Sequence, residues 1–172
     1  HQAILLRANK NKEAAKNLNL RLIRSSSASL PPAVFKDLND AFNCPVIEAY
    51  GMTEATHQMT SNPLPPKQQK AGFVGLPAGP EVCIMSENGD MMKQGEEGEV
   101  CIKGENVTLG YENNEEANKT SFTNGWFRTG DQGYFDEDGY LKISGRLKEI
   151  INKGGEKISP LEVDNVLMDH PS

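Results

Sequence analysis

Two short apolar segments flank one amphipathic stretch near the start of the chain. LRLIRS (20–25) and PVIEAY (45–50) read as strands, and SLPPAVFKDLNDAFN (29–43) between them reads as a helix. Pro32 suits its first turn, and Val34, Phe35, Leu38, Ala41 and Phe42 recur at helical spacing. Strand, helix, strand is the order of a parallel α/β unit. A further helix is expected over 3–18, with Ile4, Leu5 and Ala8 on one side. Ligands of such sheets bind beyond the carboxyl ends of the strands. Both ends run into polar stretches, SSSAS (25–29) and GMTEATHQ (51–58), the second continuing through Thr60, Ser61 and Asn62. That run is either a polar turn or the floor of a site, and its place at a strand end favours a site.

From about residue 72 the texture changes. GPEVCIMSENGDMM and GEVCIKG read as short strands broken by turns, and GYFDEDGYLKISG as a hairpin turning at Asp138–Gly139. A small antiparallel β region follows from this. RLKEIIN (146–152) reads as a strand and KGGEK as a glycine-rich turn. Ser159 as N-cap, Pro160 in the first position and Glu162 closing a capping box open a last helix.

Charge excludes little. The net charge of −6 argues against nucleic-acid or membrane-surface binding by the whole chain, although Lys142, Arg146, Lys148, Lys153 and Lys157 make one basic stretch. That stretch either faces phosphates or is a solvated surface. Cys44, Cys83 and Cys101 lie in apolar runs without metal-ligand spacing, so buried reduced thiols in an intracellular protein are expected. No apolar run approaches membrane-spanning length. The chain starts at His1 within a helical segment and stops just past another, which reads as a piece of a longer protein.

Four motifs in order carry a family resemblance: YGMTE (50–54), GEVCIKG (98–104), GWFRTGDQGYFDEDGYLKISGR (125–146) and KEIINKGGEKISPLEVD (148–164). Together they resemble the adenylate-forming acyl-CoA synthetases. The resemblance implies a division of the chain: 1–145 as the end of the large AMP-binding domain (1–71 α/β, 72–145 mostly β), 146–149 as a hinge, and 150–172 as the start of a small mobile α+β domain. It implies ATP-dependent activation of a small carboxylic acid to an acyl-adenylate, then transfer to coenzyme A with release of AMP.

Residue roles follow from the same resemblance. Thr53 and Glu54 match catalytic positions at the α-phosphate, with Glu54 a ligand of Mg²⁺, which favours hard carboxylate oxygens. Read alone, such a pair more often only caps a helix start. Tyr50, Gly51 and Met52 join Thr53 at the nucleotide, Tyr50 near adenine. Ser27, Ala28 and Ser29 match the adenine loop. Asp131 matches the carboxylate that accepts both ribose hydroxyls, and Arg146 a contact to ribose or phosphate. Lys148 matches the hinge, and Lys153, Gly154 and Gly155 the loop at the coenzyme A tunnel.

The polar run after Glu54 is expected to line the acid's pocket, where an apolar acyl chain would leave its groups unpaired at roughly 1–3 kcal/mol each. Together with SSSASL it resembles the oxalate–CoA ligases of plants and fungi, with Ser27 and His57 binding the distal carboxylate. The family's phosphate-binding loop and catalytic lysine lie outside this sequence. The isolated chain is therefore expected to be inactive without the remaining N- and C-terminal parts of its protein. A ligase for another acid (coumarate-like or medium-chain) and a non-catalytic AMP-binding relative remain open. Cytosol or peroxisome is the expected compartment.

Overall fold

The computed structural model describes residues 1–154 and 156–168. The expected first helix is two, α1 (Gln2–Lys10) and α2 (Lys12–Lys16). Asn11 breaks it: its side-chain amide donates to the Arg7 carbonyl (2.9 Å), competing with helix continuation. Leu5 and Ala8 are buried as expected, but Ile4 is exposed.

β1 (Ile23–Ser25) and β2 (Val46–Tyr50) pair in parallel, Ile23 opposite Val46, with α3 (Pro32–Phe42) crossing between them. Val34, Phe35, Leu38 and Phe42 of α3 pack with Leu5, Ala8 and Val46 in one core. Asn43, in the left-handed region at φ 47°, ends the helix. The sheet is mixed rather than wholly parallel. β3 (Thr60–Ser61) lies antiparallel on β2, and β4 (Leu76–Pro77) antiparallel on β3.

The second sheet is antiparallel. β5 (Glu81–Met85), β6 (Gly98–Lys103) and the long β8 (Trp126–Phe135) lie side by side. β7 (Phe122–Thr123), after α4 (Glu115–Ser121), pairs with the start of β8, and β9 (Leu141–Arg146) with its end. Val100, Ile102, Phe127 and Leu141 are all but sealed from solvent and make its inner face. The Gly75–Leu141 bridge ties this sheet to the first.

RLKEIIN is not one strand. The chain turns at 147–149, with the Leu147 N–H on the Gly130 carbonyl and the Glu149 N–H on that of Arg146. The hairpin of β10 (Ile151–Lys153) and β11 (Glu156–Ile158) follows, then α5 (Pro160–Met168). The expected capping box does not form through Ser159: its buried hydroxyl, packed against Gly145, has no hydrogen-bond partner among the described residues. The three cysteines are unpaired; Cys44 sits just before β2 rather than in a strand. No helix among the described residues is long and apolar enough to cross a membrane.

Candidate functional site

A cavity of about 320 Å³ opens beyond the carboxyl ends of β1 and β2. Its first wall is the loop after β1, with Ser27, Ala28 and Ser29; its second is the end of β2, with Glu48, Tyr50 and Gly51. Gly72 and Val74 close one side, and Asp131 with Arg146 another. Ser27 itself adopts φ 74°, an uncommon backbone state for a residue with a side chain.

Asp131 is the most constrained group in this cavity. It is only 4% exposed. The Tyr50 hydroxyl donates to its Oδ2 at 2.5 Å, and the Arg146 Nε lies 3.0 Å from Oδ1. The ladder explains the meeting: Asp131 of β8 sits directly opposite Arg146 of β9, so the fourteen residues between them fold back to make one pair. Burial raises the Asp131 carboxyl above its ordinary value, while Tyr50 and Arg146 pull the other way. Burial, then the charge of Asp131, raise the Tyr50 phenol, so Tyr50 stays a donor.

A second layer, unforeseen from the sequence, holds Asp131 in place. β6 and β8 lose register between Glu99 and Cys101. At that irregularity Glu99 accepts from Arg128 Nε (2.7 Å) and from the Gly130 N–H (2.9 Å). The Thr129 hydroxyl donates to the Val100 carbonyl (2.8 Å) and accepts from the Asp131 N–H (3.1 Å). GEVCIKG and RTGD therefore work as adjacent strands of one scaffold.

Glu48 was also missed. It lies on β2, 5% exposed, and accepts from the Gly72 N–H at 2.9 Å. Burial pushes its carboxyl up to about 7, against the amides of Gly72 and Leu30. The alternation of β2 was the available signal, because a glutamate two residues before Tyr50 shares its face.

Beyond β2 the chain makes a single 3₁₀ turn, Thr53–Ala55, and then reverses through Thr56 and His57 at φ 50° and 60°. Two adjacent left-handed residues with side chains store strain. Gly51 is required here: a Cβ at this position would lie 2.3 Å from the His57 carbonyl carbon. Thr53 and His57 are exposed, and Glu54 is half-buried, its Oε1 accepting from the Tyr111 hydroxyl at 2.8 Å. Met52 packs in an apolar cluster with Ala55, Met59 and Phe127. The cavity thus gathers Ser27, Ala28, Ser29, Tyr50, Gly51, Asp131 and Arg146, but its lining does not include Met52, Thr53, Glu54 or His57.

The expectation that the whole polar run lines a pocket is corrected. Thr60 is fully buried and donates to the Val74 carbonyl (2.8 Å). Asn62 donates to the carbonyls of Phe73 (2.6 Å) and Glu48 (3.3 Å) and accepts from the Lys70 N–H (2.8 Å). The Ser61 hydroxyl bonds the Asn62 carbonyl, and that of Thr56 the Ala55 carbonyl. These groups satisfy backbone that the short strands leave unpaired.

The sequence pattern of the AMP-binding enzyme family matches residues 2–112. The chain belongs to the AMP-binding enzymes. The oxalate–CoA ligase of Arabidopsis thaliana is 57% identical over 172 residues, which is 99% of this chain and 33% of that protein. The oxalate–CoA ligase of Saccharomyces cerevisiae is 57% identical over 155 residues, 89% of this chain and 28% of that protein. Among solved structures, the o-succinylbenzoate CoA synthetase of Bacillus subtilis, in complex with its acyl-adenylate intermediate OSB-AMP, superimposes with a TM-score of 0.85 at 35% identity. The match covers 99% of this chain and 35% of that one. The chain thus spans about a third of the length of the relatives it matches.

The site suits the ligand that names these AMP-binding enzymes. Carboxylate, phenol, hydroxyl and guanidinium groups converge on one cavity beyond the carboxyl ends of two parallel strands, where ligands dock in open α/β sheets. For magnesium the fit is of one kind only. Among the described residues no cluster of three or more His, Cys, Asp or Glu side chains could hold an ion by itself. A lone carboxylate such as Glu54 instead suits an ion that arrives on a nucleotide's phosphates. Further along, Lys148 is exposed within the 147–149 turn, Lys153 is exposed in β10, and Gly154 follows at φ 63° in open space. Gly155 lies outside the described residues.

Proposed function

We propose that the full-length parent of this AMP-binding chain is an acid–CoA ligase. The carboxylate of a small acid attacks the α-phosphate of ATP, pyrophosphate leaves, and an acyl-adenylate forms. The thiol of coenzyme A then attacks the acyl carbon, and AMP leaves. The observation that carries this reading is the buried Asp131, held by Tyr50 and Arg146 at the wall of the cavity.

Each side chain has a task that its chemistry suits. Asp131 retains lone pairs on both oxygens and accepts the ribose hydroxyls. Arg146, 62% exposed, is placed to swing onto ribose or phosphate. Ser27, Ala28 and Ser29 border the base, together with Tyr50 and the Gly51–Met52 backbone. Thr53 hydrogen-bonds the α-phosphate and Glu54 holds the magnesium ion, which when bound neutralises phosphoryl charge. Lys148 is the hinge between residues 1–145 and the small domain from 150, and Lys153, Gly154 and Gly155 approach coenzyme A. The three unpaired thiols suit a reducing compartment, cytosol or peroxisome.

Oxalate is the proposed acid, with Ser27 and His57 at its distal carboxylate. Its support is the similarity to two oxalate–CoA ligases and the hydroxyl-rich 27–29 wall. A second reading, another carboxylic acid, is favoured by one observation: Thr60 and Asn62 are already satisfied internally and exclude no apolar chain. CoA-dependent AMP release by the full-length protein, compared across oxalate, malonate, acetate, octanoate and coumarate, decides between them. Oxalate should lead by roughly tenfold or more, the scale of one unpaired polar group. A lead for octanoate or coumarate would keep the ligase and remove oxalate. Silence with every acid would favour a non-catalytic AMP-binding protein.

A further inference from the structure

The turn that carries Glu54 is gripped by one loop of the second sheet. The Thr108 N–H donates to the Glu54 carbonyl at 2.7 Å. The Asn106 side-chain amide donates to the carbonyls of Ala55 (3.0 Å) and Gln58 (3.1 Å). The same loop ends at Tyr111, whose hydroxyl reaches the Glu54 Oε1 at 2.8 Å. Glu54 is thus held by main chain and side chain at once, from residues more than fifty positions away.

Tyr111 is itself fixed with more care than a surface residue needs. Asn118 takes its N–H at 2.7 Å and donates to its carbonyl at 2.9 Å, so one side-chain amide clamps both backbone groups. Its ring packs against the buried Phe127 at a centroid distance of 6.5 Å. A half-exposed carboxylate on a single 3₁₀ turn would otherwise sample several rotamers, and each would have to be frozen out when a cation binds. One hydrogen bond to Oε1 removes that freedom and leaves Oε2 without a hydrogen bond among the described residues. Partners behind a ligand that fix its orientation in this way tune metal affinity.

We propose that Tyr111 is a positioning residue that aims the Glu54 carboxylate at the cation carried by a bound nucleotide. The inference rests on the ligase reading above, in which Glu54 is the protein's ligand to that cation. Tyr111 takes no part in bond making. Its effect is on how tightly the nucleotide's cation is held.

The test uses the full-length protein saturated with a non-hydrolysable ATP analogue, into which Mn²⁺ is titrated and followed by electron paramagnetic resonance. Tyr111→Phe, which deletes one hydroxyl, should weaken Mn²⁺ binding by roughly tenfold, the scale of a hydrogen bond to a charged group. Analogue binding without metal should be unchanged, and the melting temperature should fall no further than the loss of one hydrogen bond requires. Glu54→Gln should weaken Mn²⁺ binding at least as much, and the double variant no more than Glu54→Gln alone, because both changes remove one device. Asn118→Ala, which loosens the tyrosine from behind, should give a smaller loss in the same direction. Tyr111→Phe binding Mn²⁺ like the wild type while Glu54→Gln does not would overturn the role of Tyr111 and leave the ligase reading intact. Additive losses in the double variant would overturn it too. Wild-type Mn²⁺ binding by both single variants would remove Glu54 as a ligand, and this inference with it.

Discussion

Asp131 and Glu54 are two carboxylates proposed to meet one nucleotide, and the chain holds them in opposite ways. Asp131 sits inside a ten-residue strand, is 4% exposed, and engages a partner at each oxygen. Glu54 sits on a three-residue turn, half-buried, with one partner at Oε1 and two strained residues just after it. The first is a rigid socket formed before any ligand arrives. The second is an arm whose aim is set from outside, by the loop that carries Asn106, Thr108 and Tyr111. Rigidity costs buried charge, which needs its own support. Mounting a carboxylate on so tight a turn costs backbone strain, which needs a grip from outside.

The largest effect should come from breaking the socket's support. Arg128→Ala would strand the buried Glu99 carboxylate, at a cost of about 3–5 kcal/mol. Urea denaturation of the full-length protein would show it, together with lost AMP binding. An unchanged midpoint would mean that the Glu99–Arg128 pair does not hold the Asp131 strand.

The socket's floor should respond to pH. The Glu48 carboxyl is pushed from 4.5 up to about 7 by burial. The folded protein then keeps a proton that the unfolded chain releases. This stabilisation is complete below pH 4.5 and is lost as pH rises through about 7. The amplitude is about 3 kcal/mol. Glu48→Gln should lose that pH dependence, so the difference in melting temperature between variant and wild type should shift in the variant's favour as pH rises across the window. A variant that tracks the wild type at every pH would show that Glu48 ionises normally.

The arm should be easier to loosen at small cost. Asn106→Ala removes the side-chain amide that bonds Ala55 and Gln58, for about 1 kcal/mol. Hydrogen exchange should rise at residues 55–58 and stay flat at 128–131. Equal rises in both would erase the distinction between socket and arm.

The socket was legible in the sequence as separate words. Asp131, Tyr50 and Arg146 were each singled out, because short motifs mark them. Their meeting was not legible, since it depends on the register that sets Asp131 opposite Arg146 and on the tyrosine reaching in from the other sheet. The helix–strand order near the start was legible for the usual reason of periodicity, whereas the break at Asn11 depends on one side chain turning back on its own helix. The polar run misled because composition does not say whether a hydroxyl faces a ligand or a carbonyl. Thr60 and Asn62 face carbonyls. Tyr111 gave no signal at all, because only the folded loop brings it to Glu54.

The most direct measurement is calorimetric titration of AMP into the full-length protein, its Asp131→Asn variant and its Glu54→Gln variant, all without divalent metal. Asp131→Asn should bind AMP roughly a hundredfold more weakly, since two hydrogen bonds to a charge are compromised, whereas Glu54→Gln should bind it as the wild type does. Wild-type affinity in Asp131→Asn would contradict the account, because the buried carboxylate would then not be the nucleotide's socket.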